Sequence, residues 1–356
     1  MRRVRTNLQF SGLASYARVM LPSEPRSSRL ARLQFGPRAA ANVSRGTIPR
    51  TEGVMNDQED EGRHGPVALE PATADTGAGV EESGSSGQLA ADEKPSERRV
   101  RPLPRVIAVA NQKGGVGKTT TTVNLGASLA DLGYRVLIID LDPQGNATTG
   151  LGIEARNFDH SMYDVLLRDV ALEDCVEPTN IKNLFLAPAT IDLAGAEIEL
   201  VSTFSRELRL KRVLAPIRED FGYILIDCPP SLGLITVNAL AAASEVLVPI
   251  QCEYYALEGL GQLLRNVELV RANLNPDLEV SAMVLTMYDS RTRLADHVIT
   301  EVRTHFGDAV CKNVIPRTVR ISESPSFGEP ITVHSPTSRG AIAYRELAKE
   351  VSGGPA

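Results

Sequence analysis

The stretch from residue 106 to residue 132 constrains the fold more tightly than any other part of the chain. It begins with a short apolar run, Val106-Ile107-Ala108-Val109-Ala110, of the length and character of one buried parallel strand. The turn Lys113-Gly114-Gly115-Val116-Gly117-Lys118-Thr119-Thr120 follows. A helical pattern then runs over 119–132, and Gly133 is placed to close it. A glycine-rich turn between a strand and a helix is the setting of a phosphate-binding loop. Glycines let successive backbone N–H groups turn inward around an anion, and the helix N-terminus adds partial positive charge. Lys118 can reach β- and γ-phosphate oxygens, and the Thr119 hydroxyl can ligate Mg2+. The nucleotide-binding set is therefore Gly114, Gly115, Val116, Gly117, Lys118, Thr119 and Thr120. The general pattern G-x-x-x-x-G-K-[ST] asks for glycine at 112, where this chain has Gln112 and then a second lysine, Lys113. One subunit does not need Lys113 to cradle phosphate, and taken alone it reads as a solvated loop lysine.

Further apolar runs at 136–139, 184–187, 223–226, 246–250, 280–285 and 314–315 alternate with helical patterns such as 257–274, 294–306 and 339–351. This alternation predicts an α/β fold with a doubly wound, mostly parallel sheet. Parallel strands deliver functional groups at their C-terminal ends, beside the phosphate loop. Two ends carry acids: Asp140 and Asp142 in Asp140-Leu141-Asp142-Pro143-Gln144-Gly145-Asn146, and Asp227 in Asp227-Cys228-Pro229-Pro230-Ser231. A single Asp after a strand is an ordinary turn residue. Two of them in a chain with a phosphate loop point to the γ-phosphate and its metal.

Composition divides the chain before this domain. Residues 1–54 hold ten arginines, no lysine and very few acids. That composition resembles an organellar transit peptide. The reading favoured is that translation starts near Met55 and that 1–54 is upstream sequence. Residues 55–103 are acidic, rich in Gly, Ser and Ala, and too poor in apolar residues to offset their ordering entropy. They read as a disordered tail or linker, so a disordered N-terminal extension precedes a domain at 104–351 and a flexible end at 352–356. The net charge of −6 restricts any nucleic-acid binding to a local patch. Four scattered cysteines read as thiols of a reducing compartment.

The run from Gln112 to Gly126, with its early lysine, resembles the deviant Walker A motif of the ParA/Soj–MinD group of ATPases. The resemblance covers about residues 104–351. It implies ATP and Mg2+ as cofactors and a homodimer in the ATP state, with Lys113 crossing to the partner's nucleotide. It assigns Lys113, Lys118 and Asp142 to catalysis, with Asp142 positioning the attacking water. Thr119, Asp140 and Asp227 fall to the metal, and Pro316 to the adenine. Without a strong general base, slow turnover is expected until a partner completes the site.

The group divides by what its ATP dimer binds. The local sequences around Arg291 and Arg320 resemble the Soj branch, where they match basic residues used for nonspecific double-stranded DNA; Arg317 is a further candidate, and Arg339 and Arg345 follow. The C-terminal segment mixes acids and bases and lacks the large apolar face of a membrane-binding helix. The resemblance thus implies a cytoplasmic, nucleoid-associated partitioning ATPase with a centromere-binding partner like ParB and no stable membrane binding. A membrane-positioning factor like MinD and a metabolic P-loop enzyme are the alternatives.

Overall fold

A computed structural model describes residues 101–253 and 260–353. The expected extension at 1–100 lies outside the described residues, as do 354–356. A seven-stranded sheet organises the rest: β1 (Arg105–Val109), β2 (Val136–Asp140), β3 (Glu177–Pro178), β4 (Leu184–Ala187), β5 (Tyr223–Asp227), β6 (Glu245–Gln251) and β7 (Glu279–Thr286). Their spatial order is β3-β4-β2-β5-β1-β6-β7. All pairs are parallel except β3–β4.

Parallel strands carry helices on both faces, which explains why β1, β2, β4 and β5 are buried along their whole length. The charged residue at the start of β1 is satisfied rather than stranded. Arg105 Nε and Nη2 donate to Glu245 of β6 at 2.7 and 2.6 Å. Arg101, placed by composition in the linker, also pairs with Glu245, at 3.4 Å, and with Glu279. The chain therefore joins the fold before the expected boundary at 104.

The P-loop helix, Lys118–Asp131, packs on β2 and β5 through Gly126. A Cβ there would lie 2.8 Å from Ile138 Cδ1. Gly126→Val is expected to cost about 1–3 kcal/mol by overpacking. An unchanged midpoint in urea unfolding would remove this contact from the account. On its outer side the same helix is covered by the last described helix, Arg339–Ser352, which buries Tyr344, Leu347 and Val351 and is closed by Gly353 at φ 78°. Ser352 thus belongs to that helix rather than to a flexible end.

The strand expected at 314–315 is not part of the sheet. Residues 310–317 run beside β7 through separate contacts: Cys311 N–H to Met283 O (2.8 Å), Ile315 N–H to Leu285 O (2.8 Å) and Tyr288 N–H to Ile315 O (3.0 Å). The Lys312 and Asn313 N–H groups go instead to the Glu350 carboxylate, at 2.7 and 3.1 Å. One more junction matters below. Gly152 (φ +73°) and Gly328 (φ +65°) meet backbone to backbone, so closely that a Cβ on Gly328 would sit 2.7 Å from the Gly152 Cα.

Candidate active site

The P-loop leaves β1, an interior strand of the sheet, and is pinned at both ends. Asn111 Oδ1 accepts the Lys113 N–H at 3.1 Å while its Nδ2 donates to Pro249 O at 2.7 Å. Thr286, at the end of β7, donates its hydroxyl to Val116 O at 2.8 Å. Gly115 (φ 73°) and Gly117 (φ 87°) hold the left-handed turns that the loop requires. The P-loop helix then starts with no side-chain cap and no acid in its first turn. Its leading N–H groups and the positive end of its dipole are left for an anion.

Lys118 is buried against this loop, its Nζ donating to the Lys113 carbonyl at 3.2 Å. Burial lowers its pKa, and the charges of Asp227, Cys228 and Asp142 work in the other direction. Lys113 differs. It is half-buried, and no described carboxylate pairs with its ammonium.

The two strand-end acids are register partners: Asp140 on β2 stands opposite Asp227 on β5, which in turn stands opposite Val109 on β1. Their surroundings separate their roles. Asp140 Oδ1 accepts the Asp142 N–H at 3.1 Å, and Oδ2 accepts the Thr148 N–H and hydroxyl at 2.9 and 2.7 Å. Asp140 therefore staples residues 140–148 into a closed loop. Asp227 Oδ1 accepts from the Thr122 hydroxyl at 3.1 Å, whereas Oδ2 is buried and has no hydrogen-bond partner. Burial pushes both carboxyls above the usual carboxylate range. For Asp227 the neighbouring Asp140 charge adds to the rise, while the Thr119 and Thr122 hydroxyls oppose it. A buried carboxylate oxygen without a donor, beside the Thr119 hydroxyl, fits a divalent cation bound through oxygen. Asp142 is nearly buried, and its Oδ1 accepts the Gln144 N–H at 3.0 Å.

A raised folded-state pKa means that the folded chain holds more protons than the unfolded one. Stability therefore falls as pH rises from the ordinary Asp value through the raised one. Asp227→Asn removes this penalty. In nucleotide-free protein near pH 7.5 it is expected to raise Tm by about 2–4 °C for each kcal/mol relieved, and to abolish further stabilisation by Mg2+ with nucleotide. Differential scanning fluorimetry checks both. A variant that still gains stability from Mg2+ would clear Asp227 of the metal role.

Residues 104–280 match the family described as AAA domain. The Sporulation initiation inhibitor protein Soj of Bacillus subtilis is 58% identical over 250 residues, which are 70% of this chain and 99% of that protein. The Chromosome partitioning protein ParA of Myxococcus xanthus is 51% identical, over 72% of this chain and 90% of its own length. The chain belongs to the ParA/Soj family. A crystal structure named cobyrinic acid a,c-diamide synthase, from Mycobacterium smegmatis with bound ADP and magnesium, is 44% identical with a TM-score of 0.61, over 69% of this chain and 93% of that one.

As a ParA/Soj protein the chain is a P-loop ATPase of the chromosome-partitioning type, and its remaining candidate residues fall on one flank. Pro316 forms a parallel bridge to Tyr288, two residues beyond the Thr286 that grips the P-loop. The Arg317 N–H donates to Tyr288 O at 2.9 Å, which brings the loops of Arg291 and Arg317 side by side. Arg320 lies three residues on, in the short helix Val319–Glu323 that Thr318 caps. All three arginines are exposed. Arg345 does a different job: its guanidinium donates to the carbonyls of Pro336 and Thr332 at 2.5 and 3.4 Å and holds that turn. Asn111, Thr122 and Thr148 were absent from the sequence-derived set. The signal for Thr122 was the run Lys118-Thr119-Thr120-Thr121-Thr122, since consecutive β-branched residues are poor helix formers.

Proposed function

We propose that this ATPase is a dimeric switch for chromosome or plasmid partitioning. ATP with Mg2+ joins two copies face to face. The ATP dimer holds duplex DNA without sequence preference, which makes the protein nucleoid-associated. A ParB-like partner stimulates hydrolysis and releases it.

The residues divide the work. The uncapped helix N-terminus and the loop N–H groups hold the phosphates, and Lys118 neutralises charge on the β- and γ-oxygens. Thr119 and the open oxygen of Asp227 hold Mg2+, which supplies further charge neutralisation when bound. Asp140 keeps the 140–148 loop closed, so that Asp142 can orient water at the γ-phosphate. The base lies along the Pro316 flank. The observation that carries the dimer reading is Lys113. It stands beside the phosphate loop with no described acid to pair with, whereas Lys118 alone serves its own loop. A second nucleotide supplies the anion that Lys113 lacks.

Arg291, Arg317 and Arg320 form the local basic patch that an acidic protein needs for phosphate contacts. A membrane-positioning role like that of MinD has less support, because the helix Arg339–Ser352 spends its apolar face on the P-loop helix. The test is binding to random-sequence duplex with ATP or ADP, with anionic liposomes in parallel and Arg291→Ala as the variant. DNA binding with ATP only, weakened by salt and by the substitution, is expected. Liposome binding instead moves the protein to the membrane branch. Binding to neither, with turnover that depends on a second small substrate, replaces the switch with a metabolic enzyme.

A further inference from the structure

Both segments that carry candidate DNA arginines also carry a carboxylate directed at them. In the loop after β7, Arg291 Nε and Nη2 donate to Asp289 Oδ1 and Oδ2 at 2.9 and 2.6 Å. One edge of the guanidinium is thereby closed. The Arg291 backbone N–H also donates to Asp289 Oδ1, at 3.1 Å. Hydrogen bonds from Arg291 hold the Asp289 carboxyl well below the usual range, and the Arg317 charge adds to the effect. In the helix Val319–Glu323, Arg320 Nη1 lies 3.7 Å from Glu323 Oε2.

Neither pair is sealed from water. The Arg291 and Arg320 side chains are 86% and 65% exposed. Exposed pairs of this kind are weak, so a phosphate can displace the carboxylate, but it must compete for the fork. The remaining negative charge then stands beside the phosphate and opposes it.

We propose that Asp289 and Glu323 are affinity-setting residues of the DNA surface: built-in competitors that occupy Arg291 and Arg320 until a dense polyanion presents several phosphates at once. The inference rests on the DNA-binding reading above. It makes binding weak and salt-labile by construction. A duplex, with closely spaced phosphates on both strands, displaces both carboxylates together, whereas an isolated phosphate gains too little to displace either.

The test uses the full chain with ATP and a fluorescent random-sequence duplex, at about 50 and about 200 mM salt. The variants are Asp289→Asn, Glu323→Gln and the double substitution. Asp289→Asn keeps a side-chain oxygen for the Arg291 N–H, so the turn survives. Glu268→Gln is the control, because Glu268 forms another exposed pair, with Arg271 at 3.2 Å on another helix, and its loss changes net charge by the same amount. Each test substitution is expected to tighten binding about two- to five-fold. The slope of log affinity against log salt is expected to steepen by about one for each arginine released. Adding Arg291→Ala to Asp289→Asn cancels that gain. The proposal is overturned if wild type binds DNA and the variants bind no tighter with an unchanged slope, or if Glu268→Gln tightens binding as much. Absence of DNA binding by wild type and every variant overturns the DNA reading itself, and the inference with it. Binding that appears only in the variants supports both.

Discussion

Replacing Asp142 with Ala is expected to lower single-turnover ATP hydrolysis by about 100-fold or more while nucleotide binding survives. Phosphate cleavage of this type depends on positioning rather than on a strong base. Asp142 sits in a loop closed by three hydrogen bonds to Asp140, at 2.7, 2.9 and 3.1 Å, so it is held for positioning. The phosphate-holding groups lie on a different segment, which is why binding and cleavage separate. A stable ATP-bound dimer accumulates in consequence, detectable by size exclusion with multi-angle scattering. Normal phosphate release by the variant, measured in a quenched single turnover, would end the water-positioning role.

Lys113→Ala is expected to weaken ATP-dependent dimerisation by about 1,000-fold. Two symmetric charge-assisted contacts are lost, each worth roughly 2 kcal/mol or more when a desolvated charge pair is broken. Binding of a fluorescent ATP analogue to the monomer stays close to wild type, because Lys118 and the loop N–H groups remain. Sedimentation velocity with a non-hydrolysable analogue distinguishes the outcomes. Dimerisation at wild-type concentrations would return Lys113 to the status of a solvated lysine. Loss of monomer binding as well would place it within its own site.

The parts of the site that sequence made legible are those written as contiguous spacing. The loop from Lys113 to Thr120, the acids at the ends of β2 and β5, and the parallel strands that bring them together all follow from short local patterns, and the register of β1, β2 and β5 does the rest. What escaped was contact between distant segments. Thr148 reaches Asp140 only because the chain folds back after eight residues, and Thr286 meets Val116 across 170 residues. Neither has a periodicity to read. The edge strand β3 is two residues long and contains a proline, so it leaves no alternating pattern. Residues 314 and 315 look like a strand because both are apolar, but Glu350, some 37 residues away, captures the N–H groups of Lys312 and Asn313 just before them. The arginines were legible as a basic cluster. Their pairing with Asp289 and Glu323 was not, because composition counts charges without saying which ones touch.

The contact between Gly152 and Gly328 also bears on how the molecule can move. Packed side chains accommodate small displacements by changing rotamer, and a joint made of backbone alone has no such slack. The segment that closes the nucleotide loop and the strap that follows Arg320 are therefore fastened like two plates on a bare hinge pin. A side chain placed at either glycine would have to push the two segments apart. With a Cβ excluded at 2.7 Å and left-handed backbone on both sides, no side chain can be fitted there to loosen the bearing or to cushion it.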